Sequence, residues 1–302
     1  MDLTGKVIVV TGSGRGLGRG YVEALGAAGA SVVVNDVDQG AVDEAVAAVE
    51  AAGGKAVGVT AAVGSTETAD ALVKAAVDTF GRLDVMVTNA GILRDRVLWK
   101  MSDDDFDAVV NVHLRGTFTC ARAAAERFRE QGDGGKLILI SSPAGQRGNF
   151  GQTNYAAAKA GIVAMARTWA MELARAGVDV NAVVPIAATE MTKTVPAFSA
   201  AIEDYEQNGT PLPDWMRKQE GLGTIADVAS LIVFLAADAS NGITGQAIGI
   251  GGDRLSLWAH PQEKAVAMHD GGWSAEEIAG EWATGVGSEP ETYGIPMPEV
   301  PA

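Results

Sequence analysis

Short, mostly apolar runs alternate with longer segments whose apolar residues recur every three to four positions. Residues 7–10, 31–35, 56–59, 83–87, 137–140, 178–183 and 247–250 predict strands. Such runs show little polar alternation, the mark of strands covered on both faces. Between them the spacing predicts helices over about 16–28, 39–50, 66–80, 103–130, 226–236 and one that carries residues 155–159 and runs to about 176. Strand and helix in alternation favour right-handed crossovers and a parallel sheet with helices on both faces.

The first strand runs directly into Thr11-Gly12-Ser13-Gly14-Arg15-Gly16-Leu17-Gly18. Closely spaced glycines after a strand let backbone approach a pyrophosphate, and the next helix turns its N-terminus toward negative charge. The spacing of Gly12, Gly16 and Gly18, with Gly14 as an extra glycine, differs from the familiar Gly-x-Gly-x-x-Gly fingerprint. Asp36 ends the second strand about twenty residues further on. A carboxylate there binds the adenosine ribose hydroxyls and repels a 2′-phosphate, so the expected cofactor is NAD rather than NADP. Arg15 is the opposing signal, because a loop arginine can bind that phosphate. The fold class is α/β, a single Rossmann-type doubly wound parallel sheet.

Tyr155 and Lys159 lie four residues apart on one helix, and Ser142 lies thirteen residues before Tyr155 at the end of the fifth strand. A phenol of ordinary pKa is a poor base near neutral pH. A lysine one turn away faces the same site and favours the tyrosinate. Ser142 can hold an alcohol or carbonyl oxygen while Tyr155 moves its proton. Taken singly, these are ordinary helix residues and a cap. Their order behind a dinucleotide loop predicts a redox enzyme that interconverts a secondary alcohol and a ketone.

With Asn89-Ala90-Gly91 and Asn111 added to these motifs, the chain over about 3–252 resembles the short-chain dehydrogenase/reductase family. The resemblance implies that Asn89, Ala90 and Gly91 border the cofactor, and that Asn111 joins Ser142, Tyr155 and Lys159 as the catalytic set. It also implies that Tyr155 and Lys159 reach the cofactor. Two departures stand out. Ala62-Val63 replaces an aspartate common beside the adenine, and Pro185-Ile186 replaces a common Pro-Gly. Backbone near Ala62, Val63, Pro185 and Ile186 is expected to hold the dinucleotide, with Thr189 on the carboxamide or a phosphate. Residues 91–96, 111–116 and 148–155 look like the dehydrogenase part of peroxisomal multifunctional β-oxidation enzymes, which implies a (3R)-hydroxyacyl-CoA or steroid-like acyl-CoA substrate. The alternatives are a reductase of 3-oxoacyl thioesters or small ketones, and a non-catalytic dinucleotide-binding scaffold. Arg94 and Arg96 either meet the phosphates of such a thioester or form surface ion pairs. Phe150, Met191 and the proline-containing stretch 189–221, read as an insertion over the substrate mouth, are expected to line the acyl or steroid pocket.

The remaining features set the frame. The 302 residues are 47% hydrophobic and 20% charged, as in a globular chain, and the net charge of −15 argues against a nucleic-acid surface. The one cysteine, Cys120, reads as a packing residue, and no Cys/His cluster suggests a metal. His113 has no companions of metal-ligand type and reads as structural. No apolar stretch reaches the length of a membrane span, so the expected location is the cytoplasm. Residues 1–252 are expected to form the enzyme domain. Residues 253–302 form an extension with helices near 261–269 and 274–282, whose Trp258, Trp273 and Trp282 are expected to pack on this chain or a neighbouring subunit. The family resemblance implies a homotetramer or homodimer.

Overall fold

The structure, a computed structural model, describes residues 1–296 and Pro298, apart from the side chain of Met191. The apolar runs form β1 (Val7–Val10), β2 (Ser31–Asp36), β3 (Lys55–Thr60), β4 (Val85–Thr88), β5 (Gly135–Ile140), β6 (Val178–Pro185) and β7 (Ala247–Gly251). These seven pair in parallel, and β8 (Arg254–Trp258) adds an antiparallel edge. The order is β3-β2-β1-β4-β5-β6-β7-β8. Chain order therefore reverses between β1 and β4, which opens a crevice at the C-terminal ends of the strands.

The helices are α1 (Gly16–Ala27), α2 (Gln39–Ala51), α3 (Thr66–Phe80), α4 (Asp103–Val110), α5 (Gly116–Gln131), α6 (Pro143–Arg147), α7 (Thr153–Glu172), α8 (Glu190–Lys193), α9 (Pro196–Asn208), α10 (Ile225–Ala236) and α11 (Ala275–Thr284). Successive strand residues enter opposite cores. Ile8, Val10, Val32, Val34, Ile138 and Ile140 pack with α1, α2 and α10, whereas Val7, Val9, Val33, Leu137 and Leu139 pack with α3, α5 and α7. This is why the strands read as unbroken apolar runs. Each such side chain contributes about 1.5–3 kcal/mol on burial. Cys120 is buried in the second core, where desolvation pushes its thiol up to about 12.

Three expected elements differ in the structure. The helix expected over 103–130 is split by a π-helical turn, Asn111–Arg115, between α4 and α5. The extra residue in that turn brings Asn111 against Gly64 and Gly116 against Val63. The sheet continues past residue 252, because Arg254-Leu255-Ser256-Leu257-Trp258 has the two-residue alternation of an edge strand. The helix expected near 261–269 is absent: Val266 and Met268 are exposed there, and a short segment without a packed face does not sustain a helix. Of the three tail tryptophans, Trp258 packs against the second core, while Trp273 and Trp282 are exposed on this chain, Trp282 at 60%. By contrast α11 starts at the expected Ser274/Glu277 capping box.

Residues 186–222 fold as a packed unit with an apolar cluster of Phe198, Ile202, Leu212, Met216 and Leu222. Its base is stitched by Ala188 N–H to Gly223 O at 2.7 Å and Gly223 N–H to Ile186 O at 3.2 Å.

Candidate active site

The glycine loop leaves β1 and is held by its neighbours. Ser13 donates its hydroxyl to Val10 O and its N–H to Asn35 O, each at 2.7 Å. Asn89 Nδ2 donates to Thr11 O at 3.0 Å and Gly12 O at 2.9 Å, while Thr11 Oγ1 accepts the N–H groups of Asn89 and Ala90. Asn89 thus braces the loop from β4. A Cβ on Gly18 would fall 2.2 Å from Gly12 O and 2.5 Å from Asn89 Nδ2, so only glycine lets α1 sit this close. The N-cap Arg15 gives the first turn of α1 no side-chain hydrogen bond. That turn offers backbone donors and a positive dipole end to an anion, and Gly14, Gly16 and the half-buried Leu17 belong to the same rim.

Asp36 is buried at the end of β2. Its carboxylate accepts Gly14 N–H at 3.2 Å and Val37 N–H at 2.8 Å. Arg15 Nη2 lies 3.1 Å from Asp38 and 3.9 Å from Asp36. A 2′-phosphate that reached this arginine would therefore also meet two carboxylates. Phosphate-facing backbone and a ribose-facing carboxylate at one strand-end crevice fit a nicotinamide dinucleotide. The adenine side is plain: Ala62 is exposed, and Val63 is buried against Gly116.

The acid–base side forms where β5 meets α7. Ser142 caps α6 by accepting Ala144 N–H at 3.2 Å. Its hydroxyl is near enough to the Tyr155 phenol to favour the ionised form. Ser141 turns away and donates to Lys159 O at 2.8 Å. Lys159 Nζ donates to Ile140 O at 2.6 Å and lies 5.6 Å from the Tyr155 ring centre. Burial pushes the ammonium down to about 7. Burial also raises the Tyr155 phenol, and the Ser142 hydroxyl pulls it partly back. In this chain alone desolvation outweighs the stabilisation of tyrosinate expected from Lys159, because the ammonium is aimed at a backbone carbonyl.

Two residues that the sequence reading underused complete this wall. His113, on the π-helical turn, meets the Tyr155 ring edge-on with centroids 5.1 Å apart. Desolvation, with Lys159 nearby, pushes it down to about 3, so the imidazole is neutral. Its Nε2 lies 2.8 Å from Ile92 O and 3.0 Å from Ile92 N. Asn154 accepts Tyr155 N–H at 2.8 Å and donates to Arg94 O and Asp105 O. Only its place beside Tyr155 in sequence could have drawn attention to it.

Other expected site residues stand elsewhere or are already engaged. Asn111 is exposed on the π-helical turn, and its carbonyl accepts Gly116 N–H. Gly91 follows the Asn89 brace. Pro185 ends β6, Ile186 N–H is consumed by Ile250 O at 2.9 Å, and Ile186 O already accepts Gly223 N–H at 3.2 Å. Thr189 is the N-cap of α8 in a capping box with Thr192, so its hydroxyl serves the helix first. Phe150 is 84% exposed on the turn between α6 and α7. The Met191 side chain lies outside the described residues. Arg94 and Arg96 are exposed and make no ion pair among the described residues. No described helix is long and apolar enough to cross a membrane.

Fold and site together define a nicotinamide-dependent oxidoreductase built on one doubly wound sheet. A family model described as short chain dehydrogenase matches residues 6–199, and the chain belongs to that family. It is 41% identical over 290 residues to hydroxyacyl-CoA dehydrogenase ChsB1 of Mycobacterium tuberculosis, covering 92% of this chain and 87% of that one. It is also 41% identical over 253 residues to a 3-oxoacyl-[acyl-carrier-protein] reductase of Synechocystis sp., covering 83% and 97%. Among solved structures, a short chain dehydrogenase from Mycobacterium paratuberculosis bound to NAD aligns with a TM-score of 0.73 and 30% identity, covering 83% of this chain and 98% of that one.

Proposed function

We propose that the chain oxidises the secondary hydroxyl of a (3R)-hydroxyacyl-CoA, or of a steroid-like acyl-CoA, with NAD as cofactor. The observation that carries this reading is the pairing of Asp36, with Arg15 held between it and Asp38, with the Ser142–Tyr155–Lys159 group at one crevice. The near full-length likeness to a hydroxyacyl-CoA dehydrogenase supports the substrate class. Gly12, Ser13, Gly14, Arg15 and Gly16 with the N-terminus of α1 would hold the pyrophosphate, and Asp36 the adenosine ribose. Bound NAD would accept the two electrons that leave the carbinol carbon. Ser142 donates a hydrogen bond to the reacting oxygen, and Tyr155 takes its proton. Lys159 stabilises the tyrosinate by charge, and neutral His113 adds no competing cation. Asn111 supports the proton path from the π-helical turn.

The reverse reaction, reduction of a 3-oxoacyl thioester, is the second reading, favoured by the likeness to the acyl-carrier-protein reductase and by the raised Tyr155 phenol, which keeps a proton available to give. Purified protein assayed with NAD and NADP against (3R)-hydroxyacyl-CoA, 3-oxoacyl-CoA, free secondary alcohols and free ketones decides between them. NAD-linked oxidation of the hydroxyacyl-CoA is the expected preferred activity. Robust turnover of free ketones with none of any hydroxyacyl-CoA would overturn it. The assembly is a homotetramer in this reading, with the exposed Phe106 and Phe118 of α4 and α5 at a subunit interface. A monomeric mass by light scattering at assay concentration would exclude it.

A further inference from the structure

The segments that follow β5 and β6 leave neighbouring strand ends and form opposite walls of the crevice. The β6 wall has its own apolar cluster. On the β5 wall a single residue, Ala144, joins an apolar cluster, with Val109 and Tyr155. This wall starts at Ser142 and consists of α6, a helix of one turn, and one turn does not hold its shape unaided. Three further things hold it. Its middle residue lies directly on α7: a Cβ on Gly145 would fall 2.5 Å from the carbonyl carbon of Lys159. Beyond it, Gly151 O accepts Arg96 N–H at 2.8 Å and Gln152 Nε2 donates to Asp95 Oδ2 at 2.8 Å. Its last residue is gripped from the far end of the chain. Arg147 Nε donates to Gly294 O at 2.9 Å, Arg147 Nη2 donates to Thr292 Oγ1 at 2.9 Å, and Gly294 N–H returns a bond to Arg147 O at 2.7 Å. Lys264 holds the approach to this segment through Glu289 O and Glu291.

We propose that the C-terminal segment Thr292–Gly294 is a strap that fixes the β5 wall through Arg147, and that Arg147 is a positioning residue for substrates whose chain extends past Ser142 along that wall. The inference deepens the proposed acyl-thioester reading and rests on it for the identity of the long substrate. Three bonds cross the chain, two over 147 residues and one over 145, and the two longer ones use the backbone of Gly294. The strap therefore requires an arginine at one end and a bare, flexible backbone position at the other. A short substrate engages only the Ser142–Tyr155 end, which the end of β5 and α7 position. A long acyl or ring substrate must also lie along α6, so a loosened wall weakens its binding without touching the reacting groups.

Full-length Arg147→Met and Gly294→Pro break the same grip from opposite ends. The first removes two side-chain bonds, and the second removes the N–H donor and forbids the local backbone. Steady-state kinetics with short- and long-chain (3R)-hydroxyacyl-CoA should show each variant raising KM for the long substrate about tenfold. Its kcat, and both constants for the short substrate, should change less than about twofold. The double variant should be no worse than either single one, because the grip is lost once. Equal losses on short and long substrates, additive losses in the double variant, or no loss at all would each overturn the strap. If the wild type rejects both thioesters, the substrate reading fails on its own, and short and long free secondary alcohols then carry the same comparison with the same deciding outcomes.

Discussion

The glycine loop at 11–18 and the substrate wall at 142–147 both begin at the end of a parallel strand, yet they are secured differently. The loop is closed by partners from the first half of the sheet: Val10, Asn35 and Asn89 bond it directly, and Gly18 seats α1 against it. Its shape is set by backbone polar groups and by missing side chains. The wall is secured by parts from across the chain, namely α7, the 95–96 loop and the strap at 292–294. A pyrophosphate is the same in every dinucleotide, so a self-contained loop suffices for it. Acyl chains vary, and a wall assembled from distant segments can be altered without disturbing the cofactor or the proton chemistry. The division predicts that mutations at the two ends separate cofactor binding from turnover.

The largest separation is expected at Tyr155. Tyr155→Phe keeps the ring, its edge contact with His113 and its burial, and deletes only the hydroxyl. Turnover should fall about 10²–10⁴-fold, the range for a lost general acid–base. The Kd for NAD, read by fluorescence titration, should move only a few-fold. Unchanged turnover would show that the chain is a dinucleotide-binding scaffold.

Asp36 tests the other end. Asp36→Ala removes the carboxylate expected on the ribose and frees Arg15 from one of its two acidic neighbours. Charge-assisted bonds of about 1.5–3 kcal/mol put the loss of NAD affinity at about 10–100-fold. The kcat/KM ratio of NADP to NAD should rise, while the ratio of long to short acyl substrates stays constant. An unaltered cofactor ratio would move selectivity to Arg15 and the backbone at Val37.

The same contrast explains what could be read from the chain. Unbroken valine and isoleucine runs announce buried parallel strands, and Ser142, Tyr155 and Lys159 announce their chemistry by type and spacing. The π-helical turn left no such trace, since Asn111–Arg115 shows no proline or glycine break and its neighbours Gly64 and Val63 lie far away in sequence. Phe150 reads as a pocket residue because it is aromatic and near Tyr155, and its exposure on the α6–α7 turn has no mark in the local pattern. The consumed N–H of Ile186 and the grip on Arg147 depend on partners 64 and 147 positions away, beyond any local pattern.

A smaller effect belongs to pH. Lys159 titrates at about 7 and Tyr155 above its ordinary value. Oxidation needs tyrosinate beside ammonium, a pair that shares one proton. That state has the same proton count as phenol beside neutral amine, so their ratio does not change with pH. Oxidation kcat/KM should therefore rise about tenfold per unit below pH 7 and level off above it. Reduction needs both protons, so it should be full below pH 7 and fall above. Profiles measured in both directions from pH 5 to 10 check the sign. A continued rise in oxidation past pH 9 would mean that Tyr155 titrates alone.

The smallest expected effect sharpens the comparison most, because it acts on the brace rather than on a ligand group. Asn89 Nδ2 bonds Thr11 O and Gly12 O, and nothing in those two bonds reaches the acid–base side. Asn89→Ala leaves two partly buried carbonyls without that donor, at a loss of about 1–3 kcal/mol. Part of the loss appears as global stability and part as a loosened loop, so the Kd for NAD should rise several-fold and the denaturant midpoint should fall. Once NAD is saturating, kcat on a short substrate should return to within about twofold of wild type, because Ser142, Tyr155 and Lys159 are fixed by β5 and α7. A fall in kcat that saturating NAD does not restore would join the two regions into one unit and remove the basis for treating the dinucleotide loop and the substrate wall as separately built.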